Sequence, residues 1–453
     1  MTTVFSGDEG RKKKRKFQWG QAFAGTLLLV SVVWLGLYLQ SDAFKERVRR
    51  KVIAELELVT GGKVEIRSFS WRLSHLQFEA KGVTIHGRES VDQKPFIQAD
   101  LIAGQAKIIS FFRQEIGLRS LTVDHPVVHL IVYPDGTTNQ PMPKIQESDS
   151  RQVQRIFDMG IDRAEITNAE LILNEKKIPF DFSGKRLSGG ISYSKAGNVY
   201  DGNLSVELAG AHYHGLEPLQ GTLDLHFQLK PTQMEVKSLK FTTGHSTVQA
   251  NGTLTNYNNP EVHLQYTATL DLNEVGHTAR IPQLTAGQLE VTGSAQYEKQ
   301  IYGAEGTLTA RNVGWRDSSL NASGIDFSSP FLLTPEKIAL SRLTLKAFGG
   351  NGQGEVHVVN WNSPPSARKA VERGNGRLRV SNMQAGQLAA AISTGRLPLH
   401  KINLAGSVSG DVNSAWTGPI RNAITDLKLE VTPPTSPSPQ QLPVTASLQA
   451  TYH

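Results

Sequence analysis

The 453-residue chain contains no cysteine. That excludes disulfide scaffolds, thiol catalysis and cysteine-ligated zinc together, and leaves the compartment open, because exported proteins also do without disulfides. Aromatic residues are scarce at 7%, and hydrophobic residues reach only 39%. So lean a chain is not a multi-span membrane protein. Charged residues stand at 20%, which keeps it out of the disordered class. Its length suits about two to four domains, or one long repetitive unit.

Excess charge of one sign is also absent from most of the chain. The formal net charge is +7, but residues 1–60 hold eleven Lys/Arg against six Asp/Glu, so +5 lies there and the body is nearly neutral. This is not the footprint of a nucleic-acid-binding domain, and no nucleic-acid partner is expected.

What is present begins with a basic run, Arg11 to Lys16, followed by residues 17–41 without a charge. Gly20 to Leu39 would span roughly 30 Å as a helix, the thickness of a bilayer core. Residues 1–16 therefore read as a cytoplasmic tail and 17–41 as a transmembrane signal anchor. Its apolar wall includes Leu27, Leu28, Leu29, Val30, Val33, Trp34 and Leu37, with Trp19, Trp34 and Tyr38 toward its ends. A cleavable signal peptide is the alternative, but its apolar region is about 7–15 residues, and Leu37-Tyr-Leu-Gln40 is a poor cleavage site. The basic block before the span favours an inside N-terminus and an exported body.

Residues 42–60 read as an amphipathic membrane-proximal helix, with Phe44, Val48, Val52, Leu56 and Val59 on one face. Ser41 or Asp42 would cap it and Gly61-Gly62 end it. Its basic face suits headgroups, its apolar face suits plugging the end of a sheet, and the two are compatible.

From Lys63 onward, apolar and polar residues alternate. Examples are Leu204, Val206 and Leu208; Leu223, Leu225 and Phe227; Val262, Leu264 and Tyr266; Leu289 and Val291; Leu343 and Leu345. Period two gives each strand one apolar and one polar face. Turns are expected at Asp135-Gly136, Asp201-Gly202, Asn251-Gly252, Tyr302-Gly303 and Asn375-Gly376. Short helical stretches are expected at 151–159 and 385–393. A loose repeat links Leu239–Tyr257 to Leu343–Trp361, with Gly252 and Gly354 102 residues apart, and Leu289–Ala295 to Ile402–Val408, 113 residues apart. About thirty strands roughly 4.8 Å apart would build a sheet on the order of 140 Å long. Alternation alone fits an open trough or a closed sandwich; the lack of linkers between units favours the trough.

Val59-Thr-Gly-Gly-Lys-Val-Glu-Ile66, with Phe69 to Gly87, resembles the membrane-proximal start of AsmA-like proteins, the group that includes TamB. Pro95 to Leu101, Ile116 to Leu130 with a preceding helix-like Ile108–Arg113, and Phe157 to Leu173 are similar to the family's next segments. The resemblance covers about residues 20–175 and carries no catalytic signature. It implies a single-pass anchor in the inner membrane and a periplasmic, elongated, taco-like antiparallel β-groove. The concave apolar face of such a groove would carry phospholipid in bridge-like fashion for outer-membrane biogenesis. On this reading residues 61–175 form the AsmA-like module and 176–432 the repetitive groove. Residues 433–443 are a Pro-rich linker and 444–453 start a further strand, as in a piece of a longer chain. The expected partners are membrane phospholipids, with an outer-membrane barrel or other envelope protein as a second class. The alternative function is an envelope assembly factor that aids barrel insertion or secretion by strand pairing.

No cofactor, metal or catalytic residue is expected. His212-Tyr-His214 has no second ligand cluster, so strand histidines are the simpler reading. Gly350-Asn-Gly-Gln-Gly354 precedes a strand, whereas a phosphate cradle needs a helix, so a turn or bulge is expected there.

Overall fold

The computed structural model describes residues 26–27, 29–31, 33–90, 92–107, 117–135, 137–141, 157, 160–175, 180–213, 216–257, 259–299, 301–361, 371–393 and 398–452. Two expected helical stretches, 108–113 and 151–159, lie outside these residues apart from Phe157. So do Leu28 and residues 1–25 of the expected tail and anchor. The described residues of 26–40 are helical. Among the described residues no helix is long and apolar enough to cross a membrane.

Helix α1 (Asp42–Thr60) comes next. Ser41 is extended and accepts a hydrogen bond from the Phe44 N–H, and Gly61 closes the helix at φ 77°, a conformation that favours glycine. The strands then run β1 (Lys63–Arg72), β2 (Gln77–His86), β3 (Ile97–Ala106), β4 (Leu118–Val132), β5 (Arg163–Glu175) and β6 (Phe180–Ser194). After them come β7 (Val199–Tyr213), β8 (Leu219–Leu229), β9 (Gln233–Thr242), β10 (Thr247–Thr255) and β11 (Glu261–Asp271). Helix α2 (Leu272–Thr278) leads into β12 (Leu284–Glu298), β13 (Ile301–Arg316), β14 (Asn321–Leu333), β15 (Lys337–Ala347), β16 (Gly350–Val359) and β17 (Arg373–Gln384). Helix α3 (Ala385–Ala391) precedes β18 (Leu404–Ala405), β19 (Ser407–Thr417), β20 (Ile424–Thr432), β21 (Leu442–Pro443) and β22 (Ala446–Tyr452).

Twenty of these strands form one sheet. Each pairs with its neighbour in sequence, save that the short β18 and β21 pair with each other and β17, β19, β20 and β22 join directly. All pairings in the large sheet are antiparallel except β4 with β5, which is parallel and needs the crossover between them. β1 pairs only with β2 and β22 only with β20, so no described pairing closes the sheet. The strands reach 16 residues, longer than a thirty-strand division assumes, so twenty suffice. At about 4.8 Å each they extend roughly 90 Å rather than 140.

Four of the expected turns are not turns. Gly202, Gly252, Gly303 and Gly376 lie inside β7, β10, β13 and β17. A side chain at Gly202 would enter the Phe227 ring opposite, 2.3 Å away, so this glycine makes room for an aromatic rather than a bend. Likewise Gly350 to Gly354 sits within β16, and the turn is one step earlier, at Phe348 (φ 51°) and Gly349 (φ 71°). The helix expected at 385–393 is present as α3. The repeat is physical: β9–β10 correspond to β15–β16, and α2 and α3 occupy matching places before β12 and β18.

Apolar clusters form where helices lie on the sheet. Phe44 of α1 joins Val64, Ile66, Trp71, Phe78, Val83 and Ile85 of β1–β2, with Val48, Val52 and Leu56 packed against them. Leu272 of α2 joins Ala310 and Val313, and Ala385 of α3 joins Val380, Met383 and Val408.

Candidate functional site

Residues paired across a ladder share a face, so the register shows what each face carries. One row starts at Trp71, opposite Phe78, and passes through Gly104, Leu121, Ala164 and Ile191 to Gly202. It continues through Phe227, Val236, Gly252, Leu264, Ala295 and Ala304. Leu333, Ile338, Val358, Gly374 and Trp416 complete it. From β1 to β19 the row contains no polar side chain. The neighbouring register on the opposite face reads Asp201, Gln228, Glu235, Thr253, His263 and Gln296.

The sequence-selected residues fall on this apolar face. Leu204 opposes Leu225, Val206 opposes Leu223, and Leu208 opposes Gly221. Val262 opposes Tyr297, Leu264 opposes Ala295, and Leu289 opposes Leu270, with Val291 against Ala268. Tyr266 opposes Ala250; Leu345 opposes Phe327 and Leu343 opposes Gly354. Phe227 lies on the uninterrupted row itself. Sequence reading missed the row's glycines and alanines, along with both terminal tryptophans. The missed signal was each glycine's even spacing from a following apolar residue, as in Gly202-Asn-Leu204.

Burial along the face is graded. Under α1 it is nearly complete, with Val83 at 2% and Ile85 at 4% exposure. Across β7–β12, Leu204, Leu208, Leu223, Leu225, Phe227, Val262, Leu264, Tyr266, Leu289 and Val291 are half-buried; Val206 is buried. Burial raises the Tyr266 phenol above its usual range.

The strands carry one-residue bulges. Asn168, Arg186, Asn312, Arg342 and Asn382 adopt positive φ of 49–57° where the registers of β5, β6, β13, β15 and β17 slip. A bulge bends its strand and switches the face of the residues beyond it; past Arg342 it returns Leu343 and Leu345 to the apolar side.

The polar face carries exposed ion pairs, including Arg311–Glu290 at 2.9 Å and Arg379–Asp411 at 2.8 Å. A depression of about 1500 Å3 over β15–β20 is lined by Arg377, Arg379 and Lys428 alternating with Asp411 and Asp426, so no single charge converges there. Among the described residues no group of three or more His, Asp or Glu is placed to hold a metal. The His212 side chain and His214 lie outside the described residues. Comparison with family models, curated proteins and solved structures finds no match.

Proposed function

We propose that this chain is an AsmA-like, inner-membrane-anchored periplasmic protein that carries phospholipid along its apolar face during outer-membrane biogenesis. The carrying observation is the unbroken apolar row from Trp71 to Trp416, half-buried over its middle strands. Exposing an acyl chain of about 15 methylenes to water costs about 12 kcal/mol. A continuous apolar strip lowers that barrier without a site, a cofactor or a reaction. The bulges support a sheet bent into a taco-like groove, with the apolar rows inside and the polar rows in water. The helical residues before Ser41 support the anchor: Leu29, Trp34 and Leu37 are 65–67% exposed, an arrangement suited to lipid rather than water.

Photocrosslinking tests this reading. A photoreactive residue at Leu264 or Leu225 should capture phospholipid in the full chain, and one at the exposed Gln265 should not. Equal capture at both positions, or none at Leu264, defeats the proposal.

A further inference from the structure

We infer that the outward face of α1 is a docking surface for anionic phospholipid headgroups, which seats the first strands of the sheet on the bilayer. The inference rests on the anchor reading above. Sheet-facing and exposed positions separate cleanly along this helix. Phe44, Val48, Val52 and Leu56 pack on β1 and β2. Between Ala43 and Ala54 the exposed positions are 43, 47, 50, 51 and 54, spaced three and four apart and so on one side. They hold Ala43, Arg47, Arg50, Lys51 and Ala54: three cations, two of the smallest side chains and no acid.

Asp42, exposed at the first position of the helix, pairs with Lys45 at 2.9 Å, Glu46 meets Arg49 at 3.1 Å and Arg50 at 3.5 Å, and Glu57 accepts a hydrogen bond from the Val64 N–H. Arg47 and Lys51 make no ion pair among the described residues. Because the opposite face is fixed to the sheet and both ends are capped, the cations are held in place before any partner arrives. Short alanines beside them let a flat surface approach closely.

Continuity selects a lipid surface as that partner. One residue before α1, at the extended Ser41, the chain leaves a helical stretch whose apolar side chains are exposed. Trp34 stacks on Tyr38, and Tyr38 meets Phe44 edge-on, which couples that stretch to α1 through rings that favour the headgroup level. A basic helix leaving the apolar stretch there faces headgroups, and each such residue contributes roughly fivefold to residence on an anionic surface.

The cysteine-free chain allows single spin labels. Leu29→Cys and Ala54→Cys variants of the full chain would be reconstituted in phosphatidylcholine vesicles with or without phosphatidylglycerol, and headgroup-chelated nickel added. The Leu29 label should sit in hydrocarbon, accessible to oxygen, in both lipids. Nickel should relax the Ala54 label at least about tenfold more with phosphatidylglycerol present. That gain should vanish in R47Q/R50Q/K51Q and in about 0.5 M salt, where charges are screened beyond a few ångströms. Equal relaxation in both lipids, or a gain that survives both the triple variant and salt, overturns the inference. A Leu29 label outside hydrocarbon instead overturns the anchor reading on which it rests.

Discussion

Replacing Leu264 with aspartate tests the proposed groove near the middle of the apolar row. Leu264 lies on the uninterrupted row between Gly252 and Ala295, half-buried, so the variant forfeits only about 1–2 kcal/mol of apolar burial. The carboxylate stays hydrated on a half-open face, and the chain should remain folded. A lipid chain crossing that point is affected more strongly. If the hydrated carboxylate leaves about four methylenes wet, the added barrier is about 3 kcal/mol, which slows transfer by roughly two orders of magnitude. The assay is dequenching of a fluorescent phospholipid as it leaves donor vesicles carrying the reconstituted chain. Circular dichroism and thermal melting would verify the fold. Gln265→Asp, one residue along on the polar face, is the matched control. Transfer by folded Leu264→Asp within twofold of wild type, or equal slowing by Gln265→Asp, refutes the reasoning.

Three further predictions concern stability. Among the described residues both ring nitrogens of buried His129 lack hydrogen-bond partners, and burial, reinforced by Lys94 and opposed by Glu170, holds its pKa below the usual range. The folded state therefore binds this proton less readily than the unfolded chain, so stability present above about pH 6.5 should fall as pH drops below it. The melting temperature of His129→Leu should fall less steeply between neutral and mildly acidic pH, although His125, raised by its bond to Asp100, contributes with the opposite sign. Tyr200 is fully buried, donates a 2.8 Å hydrogen bond to the Ile161 carbonyl, and is pushed up to about 12, chiefly by burial. Tyr200→Phe should cost about 1–3 kcal/mol in urea unfolding, and wild-type stability should decline as pH rises above the unfolded value near 10. Asn382 holds its bulge at φ 57°; Asn382→Val should lose about 1–2 kcal/mol in the same measurement, and Asn382→Gly should lose little.

Period two made the apolar face legible. Leu204 with Leu225 and Val206 with Leu223 were each assigned inward from their own strands, and the register places them side by side. Asp201-Gly202 and Asn251-Gly252 misled because the dipeptide that favours a hairpin turn is also one a strand uses when an aromatic crosses it or the backbone runs close. That ambiguity is non-local: what occupies Gly202 is Phe227, and what crowds Gly252 is the His263 carbonyl. The bulges were hidden for a related reason. Asn168, Asn312 and Asn382 are ordinary polar residues in sequence, and only pairing shows that each carries the extra step in its strand.

These two hidden features belong to one mechanical problem. A wide sheet with an apolar face must bend to shelter that face, yet large side chains on the inside of a bend collide. Glycine and alanine along the row supply the missing volume, since Gly374 leaves its space to the Trp416 ring and Gly104 to Phe78. The left-handed residues sit at bulges, which bend a strand without turning the next apolar residue outward, as at Arg342 before Leu343. Helices then decide how much of the face stays uncovered: α1 buries it over β1–β2, whereas α2 and α3 are seven residues each and cover only local patches. A protein built only to bury its core would have little reason to leave Leu223, Leu225 and Phe227 half-exposed between such caps, because each fully buried side chain of this size is worth about 1.5–3 kcal/mol. That forgone stability, repeated from strand to strand, supports the proposed passage of an apolar guest.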